Sequence, residues 1–501
     1  MKNSKKESKF DNFFELAKRN TTRKTEIFAG LTTFLAMAYI LVVNPNNILW
    51  GGTTDPRFTS VFIATAIGAF IGTLLMALLA KMPLAQAPGM GLNALVGTII
   101  GGALGFSFSF GNAMAFVFLS GIIFLLLSFI PCGKKDKNGN RISLREKIFE
   151  GVPRPIKASI SVGIGMFIAF IGLQNAHIIV DNQFTLLQLI DFNNPELWVK
   201  GGEACMAIVA LFGLLVITIL SHYKVRGSVI IGIISATILA IPLGVANLDI
   251  LSGQVAGITW KFWENIGNFF SNNDVFLSLF KGGFTLPDGS LMTSIMLIIS
   301  FCMIDMFDTM GTVIGCCKNA NLMDKDDKPI NYGKIMYADS IATISGSLLG
   351  TSTVTTFVES GTGVAAGGKT GLTALTTAIL FLLSIFLLPL FAFIPSAAAA
   401  SALIYVGVLM MKNVLDIDFT NIKNAVPSFI TIMTMVLAYS ITDGIGAGIV
   451  SFAIIDFILY IIDLIRFKNG KIKTKPKLEI TLVTFIILVL FLIYFLVPTV
   501  I

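Results

Sequence analysis

The sequence predicts an all-α polytopic membrane protein, a 7+7 inverted repeat of about 14 spanning segments with short extended stretches in segments three and ten. Three observations predict it. The 501 residues are 55% hydrophobic and 13% charged, too few polar groups to clothe a soluble domain. Apolar runs such as 27–43, 60–80, 113–130 and 372–394 approach or exceed the roughly 20 residues that cross a bilayer as a helix. Basic residues collect in alternate connections, as they do when every second loop is cytoplasmic.

Residues 1–26 read as a cytoplasmic N-terminal tail, because eight of them are Lys or Arg and no small-residue cleavage pattern follows. The first repeat, 27–245, holds segments near 27–49, 60–80, 84–105, 112–130, 157–174, 204–221 and 227–245. A linker, 246–291, carries Trp260, Phe262, Trp263, Phe269 and Phe270 among polar residues and reads as an external interfacial stretch. The second repeat, 292–465, holds segments near 292–315, 335–350, 352–368, 372–394, 397–412, 428–442 and 444–465. Residues 466–501 comprise a basic hinge, Arg466–Lys477, and an apolar run, 478–498, read as an extra C-terminal crossing.

Loop charges agree with this count. The loop after segment four, 131–156, contains Lys134, Lys135, Lys137, Arg141, Arg145, Lys147 and Arg154. Lys224 and Arg226 follow segment six; Lys318, Lys325, Lys328 and Lys334 follow segment eight. The loop after segment five has Asp181, Asp191, Glu196 and Glu203 against Lys200 alone. The net charge of +7 therefore reads as topology and lipid-headgroup attraction, with no nucleic-acid partner.

The halves echo each other. Segment three opens with Pro83 and runs through Pro88, Gly89 and Gly91 before turning helical; segment ten does the same across Ser352–Gly363. Segment five, Ser159–Gln174, is echoed by Ala400–Met411 in segment twelve. Seven is odd, so tandem halves must be inverted in the membrane, and such repeats place a site at the midplane where broken segments meet. Gly163, Gly165, Gly172 and Gly407 are expected to keep segments five and twelve slim where they slide against the core, or else to serve static close packing.

Glu359 lies in segment ten, a stretch too broken to cross as one helix. An ionised side chain at that depth costs about 2.5–3.5 kcal/mol even on the lenient insertion scale, so it marks a pathway or a binding site. Asp305 and Asp308, three apart in segment eight, are neighbours on one helical face. Two carboxylates so close in low dielectric should hold a proton between them, the chemistry of a proton-coupled carrier. The bland reading is a pair satisfied by hydroxyls and helix N-termini.

The stretch Gln86-Ala-Pro-Gly-Met-Gly-Leu-Asn93, the run Phe307-Asp308-Thr-Met-Gly-Thr and Gly350-Thr-Ser-Thr-Val-Thr-Thr-Phe-Val-Glu359-Ser resemble the azaguanine-resistance-type purine permeases of the nucleobase–cation symporter-2 / nucleobase–ascorbate transporter family. Ala365–Ala374 and Ser440–Gly446 extend the likeness, which covers about 25 to 465. The resemblance implies a core of segments 1–4 and 8–11, a gate of segments 5–7 and 12–14, and proton-driven purine uptake at the cell membrane. By position it implies substrate and coupling roles for Asn93, Asp305, Asp308 and Glu359. Phe307 and Phe357 are candidates for the aromatic part of the pocket, or core packing. Asp339, Thr356 and Ser360 are expected to support the site, with a structural cap the other reading for Asp339.

A purine suits these side chains. A carboxylate accepts two donors side by side, as Glu359 could from the N1–H and N2 amine of a guanine-like base. Asn93 both donates and accepts, and half-helix N-termini in segments three and ten supply N–H groups. This favours guanine and hypoxanthine over adenine. The partners expected are a purine base, a proton and the bilayer, with a homodimer expected from the fold.

The rival within transport is an anion carrier of the same build, which needs positive potential, whereas the sequence reads as three acids with no intramembrane Arg or Lys. An ion channel would need a ring of such groups. An enzyme would need a nucleophile–base or metal constellation, and neither His177 nor His222 is placed to supply one. The five cysteines show no metal spacing and read as reduced thiols, so no cofactor is expected. Asp456 and Asp463 read as interfacial or gate–core contacts, and Lys369 as a cytoplasmic turn residue.

Overall fold

A computed structural model describes residues 8–49, 52–102, 105–135, 141–225, 227–252, 258–271, 274–324, 328–469, 474 and 476–496. Lys137, Arg226, Lys325, the first seven residues of the tail and parts of the linker and the Arg466–Lys477 hinge lie outside the described residues. The chain is a multi-pass helical membrane protein. Among the described residues nine helical stretches are long and apolar enough to cross a bilayer, from Arg23–Ile48 to Ile441–Lys468. Shorter apolar helices, Met90–Ile100, Ser228–Ala240 and Ile422–Leu437, occupy segments three, seven and thirteen.

Breaks in the helices position everything that follows. Segment one is helical over Arg23–Met37 and again over Ile40–Ile48, with Tyr39 at the junction. Segment three begins as a strand, Gln86–Pro88, and becomes the helix Met90–Ile100. Segment ten begins as a strand, Val354–Thr356, and becomes the short helix Ser360–Ala365. The two strands pair antiparallel, Gln86 opposite Thr356 and Pro88 opposite Val354. Bonds from Gly89 N to Thr353 O (2.9 Å) and Phe357 N to Ala85 O (3.0 Å) extend the pair at both ends. Backbone groups freed by two broken helices thus satisfy each other, as a hydrocarbon-depth interruption requires. Gly72, on the helix behind, leaves the room: a Cβ there would stand 2.7 Å from Val354.

The N-terminal end of segment one and the Gly-rich turn after segment ten form one cluster. Glu26, fully buried, accepts from Lys369 N (2.9 Å), Thr370 N (3.1 Å), Thr370 Oγ1 (2.8 Å) and Thr373 Oγ1 (2.6 Å). Arg19 donates to the carbonyls of Lys81 (3.0 Å) and Lys369 (2.8 Å). Lys369 thus serves through its backbone.

Particular contacts bear on several of these expectations. Gly165 and Gly172 pack segment five against segment twelve, and Gly163 packs it against segment thirteen. A Cβ at Gly165 would stand 2.5 Å from Met410 Cβ, and one at Gly172 would stand 2.9 Å from Leu403. These contacts join segment five to segments twelve and thirteen. The approach of segment three to segment five runs instead through Gly91, where a Cβ would stand 2.6 Å from Ile164. In the linker, Phe269 is fully buried while Trp263 is exposed, so the helix Phe262–Ser271 inserts one face into the protein. Asp456 meets Lys423 Nζ at 2.6 Å and the N–H groups of Glu479 and Ile480 at 2.9 and 3.1 Å, tying down the start of the C-terminal run. Among the described residues the helix there spans Leu482–Leu496 and is apolar.

The loop after segment four also enters the protein. It is not wholly peripheral: Ser143 caps a helix, Leu144–Gly151, that carries Arg145 to a fully buried position.

Candidate functional site

A cavity of about 640 Å³ lies between two walls. One is formed by Tyr39, Phe307, Asp308, Thr356, Phe357 and Glu359, from segments one, eight and ten. The other is formed by Ala158, Ser161, Ile164 and Ile168 on the helix Arg154–Asn175 and by Val406, Leu409 and Met410 on the helix Ser396–Met410. It ends among Arg154, Lys412 and Asp416, which are exposed. The volume fits a small-molecule site, roughly 300–1,000 Å³.

Glu359 stands at the turn between the strand and the helix of segment ten, and the strand pair holds that turn at the cavity. Its Oε1 accepts from the hydroxyl of Tyr39 at 2.6 Å, and Tyr39 is itself fully buried. Asp308 lines the cavity; Asp305, one turn earlier, does not. Asp305 is fully buried, with Thr309 Oγ1 3.4 Å from its Oδ1 and Thr343 Oγ1 3.4 Å from its Oδ2. The two acids that the sequence puts on one face therefore serve different surroundings.

Phe307 and Phe357 both line the cavity and both pack into the core, with Phe307 also 5.8 Å from the ring of Phe149. Asn93 lies behind the wall. Its Oδ1 accepts from the hydroxyl of Ser352 and its Nδ2 donates to Pro88 O at 3.3 Å, so it links the starts of segments three and ten. Ser360 ties the same crossing from below, accepting from Ala85 N at 3.0 Å. Thr356 accepts from Gln86 Nε2 at 3.3 Å.

Asp339 is the centre of a second, wholly buried network. Its Oδ1 accepts from Gln86 Nε2 at 3.1 Å and Thr309 Oγ1 at 2.7 Å; its Oδ2 accepts from Arg145 Nη2 at 2.6 Å. The Thr309 hydroxyl also meets Thr355 Oγ1 at 2.5 Å. Asp339 is thus a support of the strand crossing. Arg145, which the sequence puts in a basic loop, is fully buried, and Arg154, Lys157 and Lys412 line the cavity toward its open end.

Tyr39 and Arg145 are the two residues that sequence reasoning missed. Tyr39 is the lone tyrosine of its segment and precedes Asn44 and Pro45, a polar break that marks the segment as functional. Arg145 lies between Ser143 and Glu146, whose three-residue spacing is a helix-start signature inside a basic loop.

Comparison with known proteins places this geometry. Residues 24–446 match the model of the Permease family. The chain is 36% identical over 457 residues to the guanine/hypoxanthine permease PbuO of Bacillus subtilis, covering 88% of this chain and 93% of the relative. It is 35% identical over 441 residues to the adenine permease AdeQ of Escherichia coli, covering 88% and 89%. To the guanine/hypoxanthine permease PbuG of Bacillus subtilis it is 34% identical over 489 residues, covering 96% and 98%. In fold it is similar to the transmembrane domain of the cyanobacterial bicarbonate transporter BicA, with a TM-score of 0.55 at 15% identity, covering 85% of this chain and 97% of that one. The murine anion transporter Slc26a9 in its inward-facing state gives a TM-score of 0.55 at 11% identity, covering 92% and 73%. Taken with the strand crossing and its acids, these matches show that the chain belongs to the Permease family, beside the guanine/hypoxanthine and adenine permeases it resembles.

Proposed function

We propose that the protein imports purine bases in symport with a proton, taking guanine and hypoxanthine in preference to adenine. The observation that carries this reading is the Glu359 carboxylate at the cavity wall, fixed by Tyr39 and joined there by Asp308. A carboxylate held through one oxygen presents a fixed acceptor edge to paired N–H donors of a 6-oxopurine, and a base lacking those donors leaves it unsatisfied. Phe307 and Phe357 offer apolar faces to the ring. Asp305, Asp308 and Glu359 are the groups available to take the coupled proton. One proton crossing a potential of about 100 mV supplies roughly 2.3 kcal/mol, enough for about fiftyfold accumulation.

The wall carrying the acids belongs to segments one, eight and ten, and the opposite wall to segments five and twelve. This division supports alternating access in which a core, segments 1–4 and 8–11, moves against a gate, segments 5–7 and 12–14, within a 7+7 inverted repeat. The open end lies beside the basic loop 131–156, which agrees with a cytoplasm-facing state, an N-terminus inside and residence in the cell membrane.

The anion carriers of similar fold suggest a second reading, and Arg154, Lys157 and Lys412 at the open end favour it. The acids deepest in the cavity oppose it, because they would repel an anion where the broken segments meet. Uptake of labelled hypoxanthine with unlabelled guanine, adenine, xanthine, bicarbonate and sulfate as competitors tests both. Competition by the 6-oxopurines alone is expected; competition by the inorganic anions alone would replace the purine reading.

A further inference from the structure

Arg145 reaches the protein interior from a connection between segments, and its guanidinium is completely buried. Nη2 meets Asp339 Oδ2 at 2.6 Å, and Nη1 meets Met336 O at 3.3 Å and Ser340 Oγ at 3.2 Å. The guanidinium carbon lies 4.1 Å from the centre of the Phe124 ring. The next residue on the helix, Glu146, is held by Lys328, which pins the helix end that presents Arg145.

Beyond Asp339 the network continues to Asp305 through the Thr309 hydroxyl, which lies 2.7 Å from the one acid and 3.4 Å from the other. One cation therefore faces two carboxylates in a site with no exposure. Asp308 and Cys302 lie one turn either side of Asp305 on the same helix, and Asp308 faces the cavity. Thr343 and Thr355 face Asp305 from the other elements packed on it and carry no charge. Two buried carboxylates against one guanidinium leave one uncompensated negative charge, and a single proton cancels it.

We propose that Arg145 is a positioning residue of the coupling mechanism: it keeps Asp339 ionised and leaves Asp305 as the group that takes up and releases the transported proton. The inference rests on the proton-symport reading above. Because Asp305 is off the cavity and Asp308 and Glu359 are on it, proton and base occupy separate places joined by the strand crossing. Gln86 is the joint. Its amide donates to Asp339 Oδ1 and to Thr356 Oγ1, and Thr356 lines the cavity.

The test uses the full-length protein in proteoliposomes, reading hypoxanthine uptake against pH and equilibrium hypoxanthine binding on the same preparations. Arg145→Gln removes the cation, so the pair holds its proton more tightly, and the pH at which uptake is half-maximal should rise by a unit or more. Asp339→Asn removes the neighbouring anion, so that pH should fall by a similar amount. Arg145→Lys should stay within a few tenths of the wild type, and the double variant Arg145→Gln/Asp339→Asn should lie between the single ones. Should Arg145→Gln fail to fold, the Asp339→Asn profile decides alone. Reduced protein or binding with an unmoved pH profile in these variants would make Arg145 a structural pin and overturn the proposal. A wild type that moves no hypoxanthine at any pH would instead overturn the symport reading.

Discussion

Tyr39 donates its hydroxyl hydrogen to Glu359 Oε1 across 2.6 Å, joining the break in segment one to the turn of segment ten, 320 residues away. The contact fixes one carboxylate oxygen and orients the group at the cavity wall. Glu359→Gln should therefore reduce purine uptake by about 10- to 100-fold with normal amounts of protein in the membrane, as a lost charge-assisted hydrogen bond implies. Tyr39→Phe keeps the ring and loses only the orienting bond, so a smaller loss, about fivefold, is expected. Initial-rate uptake measured beside surface-independent protein quantification checks both.

Asp305 and Asp308 should separate in mutagenesis. Asp308→Asn changes a cavity wall and is expected to raise the apparent KM several-fold. Asp305→Asn leaves the wall intact, and should preserve binding while abolishing accumulation against a gradient. Measuring binding, downhill exchange and accumulation on the two variants shows whether the roles divide this way.

Gly165→Leu should lose binding and uptake together. The new side chain meets Met410 Cβ and the carbonyl of Gly407, both belonging to a packed neighbouring helix. Overpacking of this kind costs about 1–3 kcal/mol or more, so the variant is expected to melt at lower temperature in detergent. A slowed uptake with unaltered melting and binding would restore this glycine to a sliding surface.

Glu26→Gln is predicted to destabilise the protein without changing which base it carries. Four donors converge on this buried carboxylate, two of them from the backbone of the turn that starts segment eleven. The amide cannot accept all four through both ends, and a loss of about 1–3 kcal/mol follows. Thermal melting with and without hypoxanthine measures it, and the competition pattern should stay unchanged.

What the sequence made legible follows from how rare each signal is. Charges in apolar runs are few, so Asp308 and Glu359 stood out, and the structure places both at the cavity. Pro88, Gly89 and the stretch Ser352–Gly363 announced that segments three and ten break, but the pairing of Gln86 with Thr356 depends on tertiary approach and has no local pattern. Arg145 was invisible for the opposite reason. It sits among seven basic residues of one loop, and only its contact with Asp339, 194 residues on, distinguishes it. The glycines of segment five were legible as close-packing positions, yet spacing alone does not say which neighbour approaches. Asn93 was matched by its motif, and its bonds to Ser352 and Pro88 place it in the frame of the crossing.

Inward carriage of a purine with a proton is the proposed activity. Purified protein in proteoliposomes, given labelled hypoxanthine and an imposed inward proton gradient, tests it most directly. Saturable accumulation above equilibrium is expected, collapsing with a protonophore and lost in Glu359→Gln. Equilibration without accumulation, indifferent to the proton gradient, would contradict the coupling; no saturable hypoxanthine flux at all, alongside bicarbonate or sulfate flux, would contradict the assignment itself.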